Sequence, residues 1–488
     1  MMSTHPIVPP EPVRDLDWEP ERAREVGEAA VDLWTELLER LRDLPVSRMQ
    51  PADEVAAAVE VPIRPEGMSP AELIEVIRPL VLEQAVYPGH PGFLAYISGA
   101  GTVPGAAADL IAAGLNANAG GWSLSGGVTE FELALMRWLA SRFGLPEGAG
   151  GLVTPGGATS NITALKAARD AALPDVRANG LAGRPVAFYA STESHATILE
   201  AADMIGAGEA SVRLIATDDV LRMRVDLLEE AIAADRAAGV IPVAVVGTVG
   251  TTGPGTVDPL PVIADVCARE RIWFHVDAAY GGAAVFSTPL RPLLAGIEHA
   301  DTITFDPHKW LSVPLTAAVL LAREPDRLVS AFDHEAAYTR EVRERTRIGE
   351  NLGSYSQAWS RGFSALKIWA SLAGHGTDAY ERRLAHDVAL ARYLAARVRD
   401  EPTLELGIDP VLPIVCFRIV RDGLTAEQTD DLNERVMEAI RREGKVFPSN
   451  AEIGGRYFLR ACISNFRTEA EEMDALVEAA VRLGAALS

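Results

Sequence analysis

Asp301 to Trp310 reads DTITFDPHKW, and the fold follows from how this stretch is read. Ile303, Thr304 and Phe305 form an apolar, partly β-branched run of strand type, Pro307 ends it, and Lys309 emerges at its carboxyl end. Lysine is rarely buried without a partner, so one delivered to the end of a buried strand asks for a chemical reason. Thirty-two positions upstream, in IWFHVDAAYGG, Ile272 to Val276 form a second buried strand with Asp277 at its carboxyl end. Two strands joined by about thirty residues make one crossover unit of a parallel sheet, so Asp277 and Lys309 should open onto one crevice.

A lysine and an aspartate in that relation suit pyridoxal 5′-phosphate. The lysine amine forms a Schiff base with its aldehyde, and a carboxylate partners the pyridinium nitrogen so that the ring acts as an electron sink. Its phosphate needs a cradle. Thr154 to Asn161, TPGGATSN, offers one: Gly156 and Gly157 let the backbone approach an anion, Thr159 and Ser160 carry hydroxyls, and the helical spacing of ITALKAARDAAL puts a helix N-terminus there. Alone, a Gly-Gly step before a helix reads equally well as a turn.

The order of the glycine loop, Ser191-Thr192-Glu193-Ser194-His195, Gly250-Thr251-Thr252, HVDAAYGG and DPHKW resembles the group II pyridoxal-phosphate-dependent amino acid decarboxylases, from about Trp18 to the C-terminus. HVDAAYGG followed by PHKW is the specific part. The resemblance implies the aspartate aminotransferase type of fold, a homodimer with exchanged N-terminal arms, and decarboxylation of an L-amino acid, aromatic or related. It assigns Lys309 to the Schiff base, Asp277 to the ring nitrogen and His195 to the ring face and proton transfer. Gly157, Ala158 and Thr159 go to the phosphate, Thr251 and Ala279 to the cofactor, and His308 to phosphate or substrate. Tyr355 becomes the acid on a mobile loop between Tyr338 and Phe363, with Tyr338 its competitor. Asp306 departs from the family's asparagine; an ionised aspartate cannot donate to a phosphate, so it is expected to orient His308 or a backbone amide. Where aromatic members carry Tyr-Phe-Pro and a pocket aromatic, this chain has Tyr96-Ile97-Ser98 and Gly120, which implies a wider or more polar pocket, with Trp122 and Phe93 leaving apolar surface.

The rest of the chain agrees with a large enzyme. It has 488 residues, 48% hydrophobic and 23% charged, enough for an extensive core. A net charge of −23 argues against nucleic acid and anionic membranes as partners. Cys267, Cys416 and Cys462 are too few and scattered for a disulfide framework or metal site, and no signal segment is apparent, so a cytoplasmic protein is expected.

Trp18 to Val46 reads as an amphipathic helix, with Val26, Ala30, Leu33, Leu37 and Leu41 on one face, and Ala71 to Ala85 as a second. The expected division is an N-terminal segment over 1–89, a large cofactor domain over 90–373 with a mostly parallel α/β sheet, and a small α+β domain over 374–488. Strands are expected at Val186–Ala190, Val212–Ala216, Val243–Gly247, Ile272–Val276, Thr302–Phe305 and Ala317–Leu321. Further strands fall at Ile414–Val420 and Tyr457–Ser464, beyond a helix over Asp378–Val398. Thr129 is expected to cap the helix of SGGVTEFELALMRWLASRFG. Two rival readings stand beside decarboxylation: another reaction on the same cofactor, such as transamination or aldehyde-forming decarboxylation, and a non-catalytic binding protein of the same fold.

Overall fold

The structure is a computed structural model that describes residues 12–334 and 349–487. The chain forms two compact units that divide after Tyr87. In the first, the helix Pro20–Arg40 packs on the helix Pro70–Leu82 through Leu33, Leu37, Ile74 and Leu82. Ser69 and Glu72 cap the second helix reciprocally.

The second unit holds two sheets. In chain order its strands are β1 (Phe93–Leu94), β2 (Gly150–Thr154), β3 (Val186–Ser191), β4 (Val212–Ile215), β5 (Ile241–Thr248), β6 (Trp273–Asp277), β7 (Thr302–Phe305), β8 (Ala318–Ala322), β9 (Leu404–Leu406), β10 (Ile414–Ile419), β11 (Phe447–Ile453) and β12 (Arg456–Cys462). The larger sheet runs β2-β8-β7-β6-β5-β3-β4, with β8 antiparallel to both neighbours and every other pairing parallel. Strands β3, β7 and β8 are buried along their whole length, as befits a sheet covered on both faces. Between β6 and β7 the register sets His275 beside Thr302 and Asp277 beside Thr304. Lys309 follows four residues after β7 ends, so Asp277 and Lys309 do share one edge of the sheet.

Three features depart from the sequence reading. The helix begins at Trp122, not at Thr129; Gly121 stands at the cap position, and Thr129 lies inside, its hydroxyl donating to the Ala119 and Ser125 carbonyls. A break at Ser125 (φ −156°, ψ 62°) explains why the opening turn does not share the periodicity of the rest. The sequence reading omitted β2, whose two glycines pair across from Leu321 and Ala322; a side chain on Gly151 would strike the Leu320 carbonyl at 2.1 Å. Finally, the smaller sheet, β1-β11-β12-β10-β9, takes β1 from far upstream, with Phe93 beside Phe447. Among the described residues no helix is long and apolar enough to cross a membrane.

Candidate active site

At the carboxyl edge of β5, β6 and β7 a cleft is lined by Gly157, Ala158, His195, Asp277, Ala279 and Lys309, with Ile97, Asn161, Thr252, Tyr280 and Asp306 among the remaining walls. The structure thus brings together six residues singled out from the sequence. It also supplies one that was missed, Asn161, which organises them.

Asn161 lies one turn into the helix Gly157–Ala172, buried on the face toward the sheet. Its Nδ2 donates to Asp277 Oδ2 at 3.0 Å and to Thr197 Oγ1 at 3.1 Å. Its Oδ1 accepts from Thr304 Oγ1 at 2.7 Å and from His275 Nε2 at 3.0 Å. Trp273 Nε1 donates to Thr302 Oγ1 at 2.9 Å, and His275 Nδ1 lies 2.9 Å from the same oxygen. Burial pulls the His275 pKa down to about 4, against the raising effects of Asp277 and the Thr302 backbone. The imidazole is thereby held neutral near pH 7, with its Nε2 proton given to Asn161.

The same network fixes His195. Its Nδ1 lies 3.0 Å from Thr197 Oγ1 and accepts from the Thr197 backbone N–H at 3.1 Å, so a neutral ring carries its proton on Nε2. Asp277, buried, also accepts from the Ala279 N–H through Oδ1 at 3.1 Å. Lys309 Nζ lies 3.2 Å from Asp306 Oδ2.

Pyridoxal phosphate fits these residues. The helix Gly157–Ala172 starts after Gly156, which has no side chain to cap it, so among the described residues its first-turn N–H groups have no side-chain cap. A Cβ on Gly157 would come within 2.8 Å of Asp306 Oδ2, so a side chain there would displace that carboxylate. The amides of Gly157, Ala158 and Thr159 would take the phosphate, Asp277 the ring nitrogen, and Lys309 the aldehyde carbon, with Ala279 small enough to leave the ring room. Bound there, the cofactor supplies an electron sink for the pair left when a bond at the α-carbon breaks. The protein's share is to keep Asp277 oriented through Asn161 and to present the His195 Nε2 proton.

Four expected residues are placed elsewhere or differently. Thr251 is shut inside its own turn, its hydroxyl 2.9 Å from Thr256 Oγ1 and accepting from the Thr256 N–H, while Thr252 lines the cleft in its place. The tight turn has Gly250 at φ +87°, where a Cβ would meet the Tyr280 ring at 2.7 Å. His308 is occupied by the Ala317 backbone, with Nδ1 2.6 Å from its carbonyl, and is absent from the cleft wall. It stands 3.7 Å from Asp306, too far for the hydrogen bond that would orient it. The Thr159 side chain does not line the cleft, and the Ser160 hydroxyl is committed to Thr154 Oγ1 at 2.7 Å.

Tyr355 is the clearest correction. It is buried in a cluster with Leu133, Leu152, Ala164 and Leu352, and its hydroxyl donates to Glu350. Burial and that carboxylate push its phenol well above the ordinary value, the wrong direction for an acid. Tyr338 lies outside the described residues. The expected specificity features also change. A Cβ on Gly120 would strike the Trp359 carbonyl at 1.9 Å, so this glycine serves close packing and opens no pocket. Phe93 stacks on Phe447 with centroids 5.9 Å apart and is not among the cleft's lining residues.

A parallel-sheet edge that gathers a lysine, a buried carboxylate and an imidazole before an uncapped helix terminus defines a pyridoxal-phosphate-dependent enzyme. Residues 51–420 match the pyridoxal-dependent decarboxylase conserved domain. The chain belongs to that family, and it is a pyridoxal-phosphate-dependent amino acid decarboxylase. It is 32% identical over 460 residues to an aromatic-L-amino-acid decarboxylase of Bacillus atrophaeus, covering 94% of this chain and 95% of that one. To the human cysteine sulfinic acid decarboxylase it is 30% identical over 443 residues, with 88% and 90% covered. The solved Oryza sativa TDC with PLP and tryptamine superposes with a TM-score of 0.91 at 27% identity, covering 96% of this chain and 99% of that one.

Proposed function

We propose that the enzyme removes the α-carboxylate of an L-amino acid with an aromatic or similar uncharged side chain, releasing carbon dioxide and the amine. One observation carries this reading: the cleft wall beside Lys309 includes Ile97, Ala279 and Tyr280, and no arginine is among its described lining residues. An acidic side chain brought there would lose its hydration without a guanidinium in return, which is costly for a carboxylate or sulfinate. Arg460 is not in that lining; its Nε is held by the Gly253 carbonyl (2.9 Å) and its Nη1 by the Tyr96 carbonyl (3.0 Å) and Ser449 Oγ (3.1 Å), while its buried Nη2 has no partner among the described residues. In this reading Lys309 holds the cofactor, Asp277 its ring nitrogen and Gly157 to Thr159 its phosphate, while His195 lies against the ring. The enzyme works as a homodimer, supported by the exposed Leu110, Ile111 and Leu115 on the helix Val103–Leu115, and in a reducing cytoplasm, supported by three buried unpaired cysteines.

The test is a panel of L-amino acids with the cofactor-loaded enzyme, following carbon dioxide together with amine, aldehyde and keto acid. Carbon dioxide with an equal yield of amine from tryptophan, tyrosine or phenylalanine supports the proposal. Faster turnover of cysteine sulfinate or glutamate contradicts the substrate class. Aldehyde with ammonia, or keto acid without carbon dioxide, replaces the reaction with one of its rivals.

A further inference from the structure

Asp306 is a buried carboxylate beside the helix start to which the cofactor's phosphate is assigned. It is 2% exposed and lines the cleft with Gly157, Ala158 and Lys309. Oδ2 lies 3.2 Å from Lys309 Nζ, whereas Oδ1 is buried and has no hydrogen-bond partner among the described residues. The carboxylate also sits against the start of the helix Gly157–Ala172: a Cβ on Gly157 would be 2.8 Å from Oδ2 and 3.2 Å from Oδ1. That is the terminus whose uncapped amides would receive the cofactor's phosphate.

A phosphate monoester near neutral pH carries between one and two negative charges, so the site must hold two anions at one helix end. The ionisable groups facing Asp306 do not resolve this. Lys309 and His308 favour its charge, Asp277 opposes it, and the first helical turn, Gly157 to Ser160, carries no ionisable side chain. His195 stands on the same cleft wall. Burial already holds the Asp306 carboxyl above its ordinary value.

We propose that Asp306 takes up a proton when the cofactor's phosphate settles at the N-terminus of the helix Gly157–Ala172, turning an acceptor that has no partner for Oδ1 into a hydrogen-bond donor to the phosphate. The inference rests on the assignment of the Gly157 loop to the phosphate. One proton is bound per site and none is released from this carboxyl. The sign follows from linkage: between the Asp306 pKa of the free protein and the higher value of the complex, binding consumes a proton, so affinity falls about tenfold for each unit of rising pH. Above the higher value the fall ends.

The experiment uses the full-length apoprotein and pyridoxine 5′-phosphate, which has no aldehyde and so leaves Lys309 chemistry out. Calorimetry in buffers of different ionisation enthalpy, across roughly pH 5.5 to 9, counts the protons taken up. Wild type should take up close to one proton more than Asp306→Asn within the window, and the variant's affinity should lose the corresponding tenfold-per-unit decline. The phosphate's own titration is common to both and cancels. A second comparison needs no variant: unphosphorylated pyridoxine on wild type should show no such uptake. Equal proton uptake by wild type and variant, or by the two ligands, overturns the proposal. Pyridoxine 5′-phosphate binding no better than pyridoxine overturns the phosphate assignment itself, a separate and recognisable result.

Discussion

Replacing Asn161 by leucine removes the one side chain that ties Asp277, Thr197, His275 and Thr304 together. Leucine keeps the branching and heavy-atom count of the asparagine side chain, so the loss is chiefly of hydrogen bonds. Four bonds disappear. Asp277 retains the Ala279 N–H and Thr197 can still meet His195, but the His275 Nε2–H and the Thr304 hydroxyl are left buried with no acceptor. An orphaned buried polar group costs about 1–3 kcal/mol, so two complete losses and two partial ones sum to about 3–6 kcal/mol. Urea unfolding of the apoprotein measures this directly, and cofactor titration gives the companion effect. With Asp277 no longer held, cofactor affinity should drop at least about tenfold, equivalent to about 1.4 kcal/mol. A change in stability below about 1 kcal/mol together with unaltered cofactor affinity would show that Asn161 is no organising residue, and the account of Asp277 and His195 would go with it.

Further outcomes follow from the same geometry. His275 is held neutral with its pKa lowered to about 4 from 6.5, so its contribution to stability is complete above pH 6.5 and is lost as pH falls toward 4; denaturant midpoints of wild type should fall relative to those of His275→Gln over that range, and parallel curves contradict it. Gly157→Ala drives a methyl group to 2.8 Å from Asp306 Oδ2 and should weaken cofactor binding by tenfold or more in an apoprotein titration; an unchanged dissociation constant removes the loop from the cofactor site. Tyr355→Phe breaks only the bond to Glu350, so a stability loss of about 1 kcal/mol with turnover within a few-fold of wild type is expected. A hundredfold fall in turnover would restore Tyr355 as the acid.

Much of this architecture was legible because strands buried on both faces need uninterrupted apolar runs. Thr302–Phe305 is bounded by Asp301 and Pro307 and could hardly end elsewhere. The polar row that matters is also written in the sequence: His275 and Asp277, like Thr302 and Thr304, alternate along their strands and so share a face. Asn161 follows Gly157 by one helical turn and must face the same way, a signal available from spacing alone. Turn geometry was not available in that way. Whether Thr251 or Thr252 faces the cleft depends on a left-handed Gly250 and on the Thr251–Thr256 pairing, which periodicity does not encode. Gly120 misled for a related reason: a missing side chain signals a wider pocket only when no neighbouring backbone fills the space, and here the Trp359 carbonyl does. Tyr355 falls in a segment without clear period, where burial is decided by distant partners such as Leu133 and Leu152.

Every role assigned to the cleft depends on Lys309 binding the cofactor. The chain has four lysines, at 166, 309, 367 and 445, which makes the question unusually easy to put. Lys166 is bonded to Asp170 (2.7 Å) and the Ala331 carbonyl (2.5 Å), Lys367 to Asp109 (3.0 Å) and the Leu315 carbonyl (3.2 Å), and Lys445 is exposed. Borohydride reduction of the cofactor-loaded enzyme, followed by peptide mass spectrometry, fixes the cofactor to whichever lysine carries it. Modification confined to the peptide containing Lys309 is the expected result; modification at Lys166, Lys367 or Lys445 in its place would contradict the account.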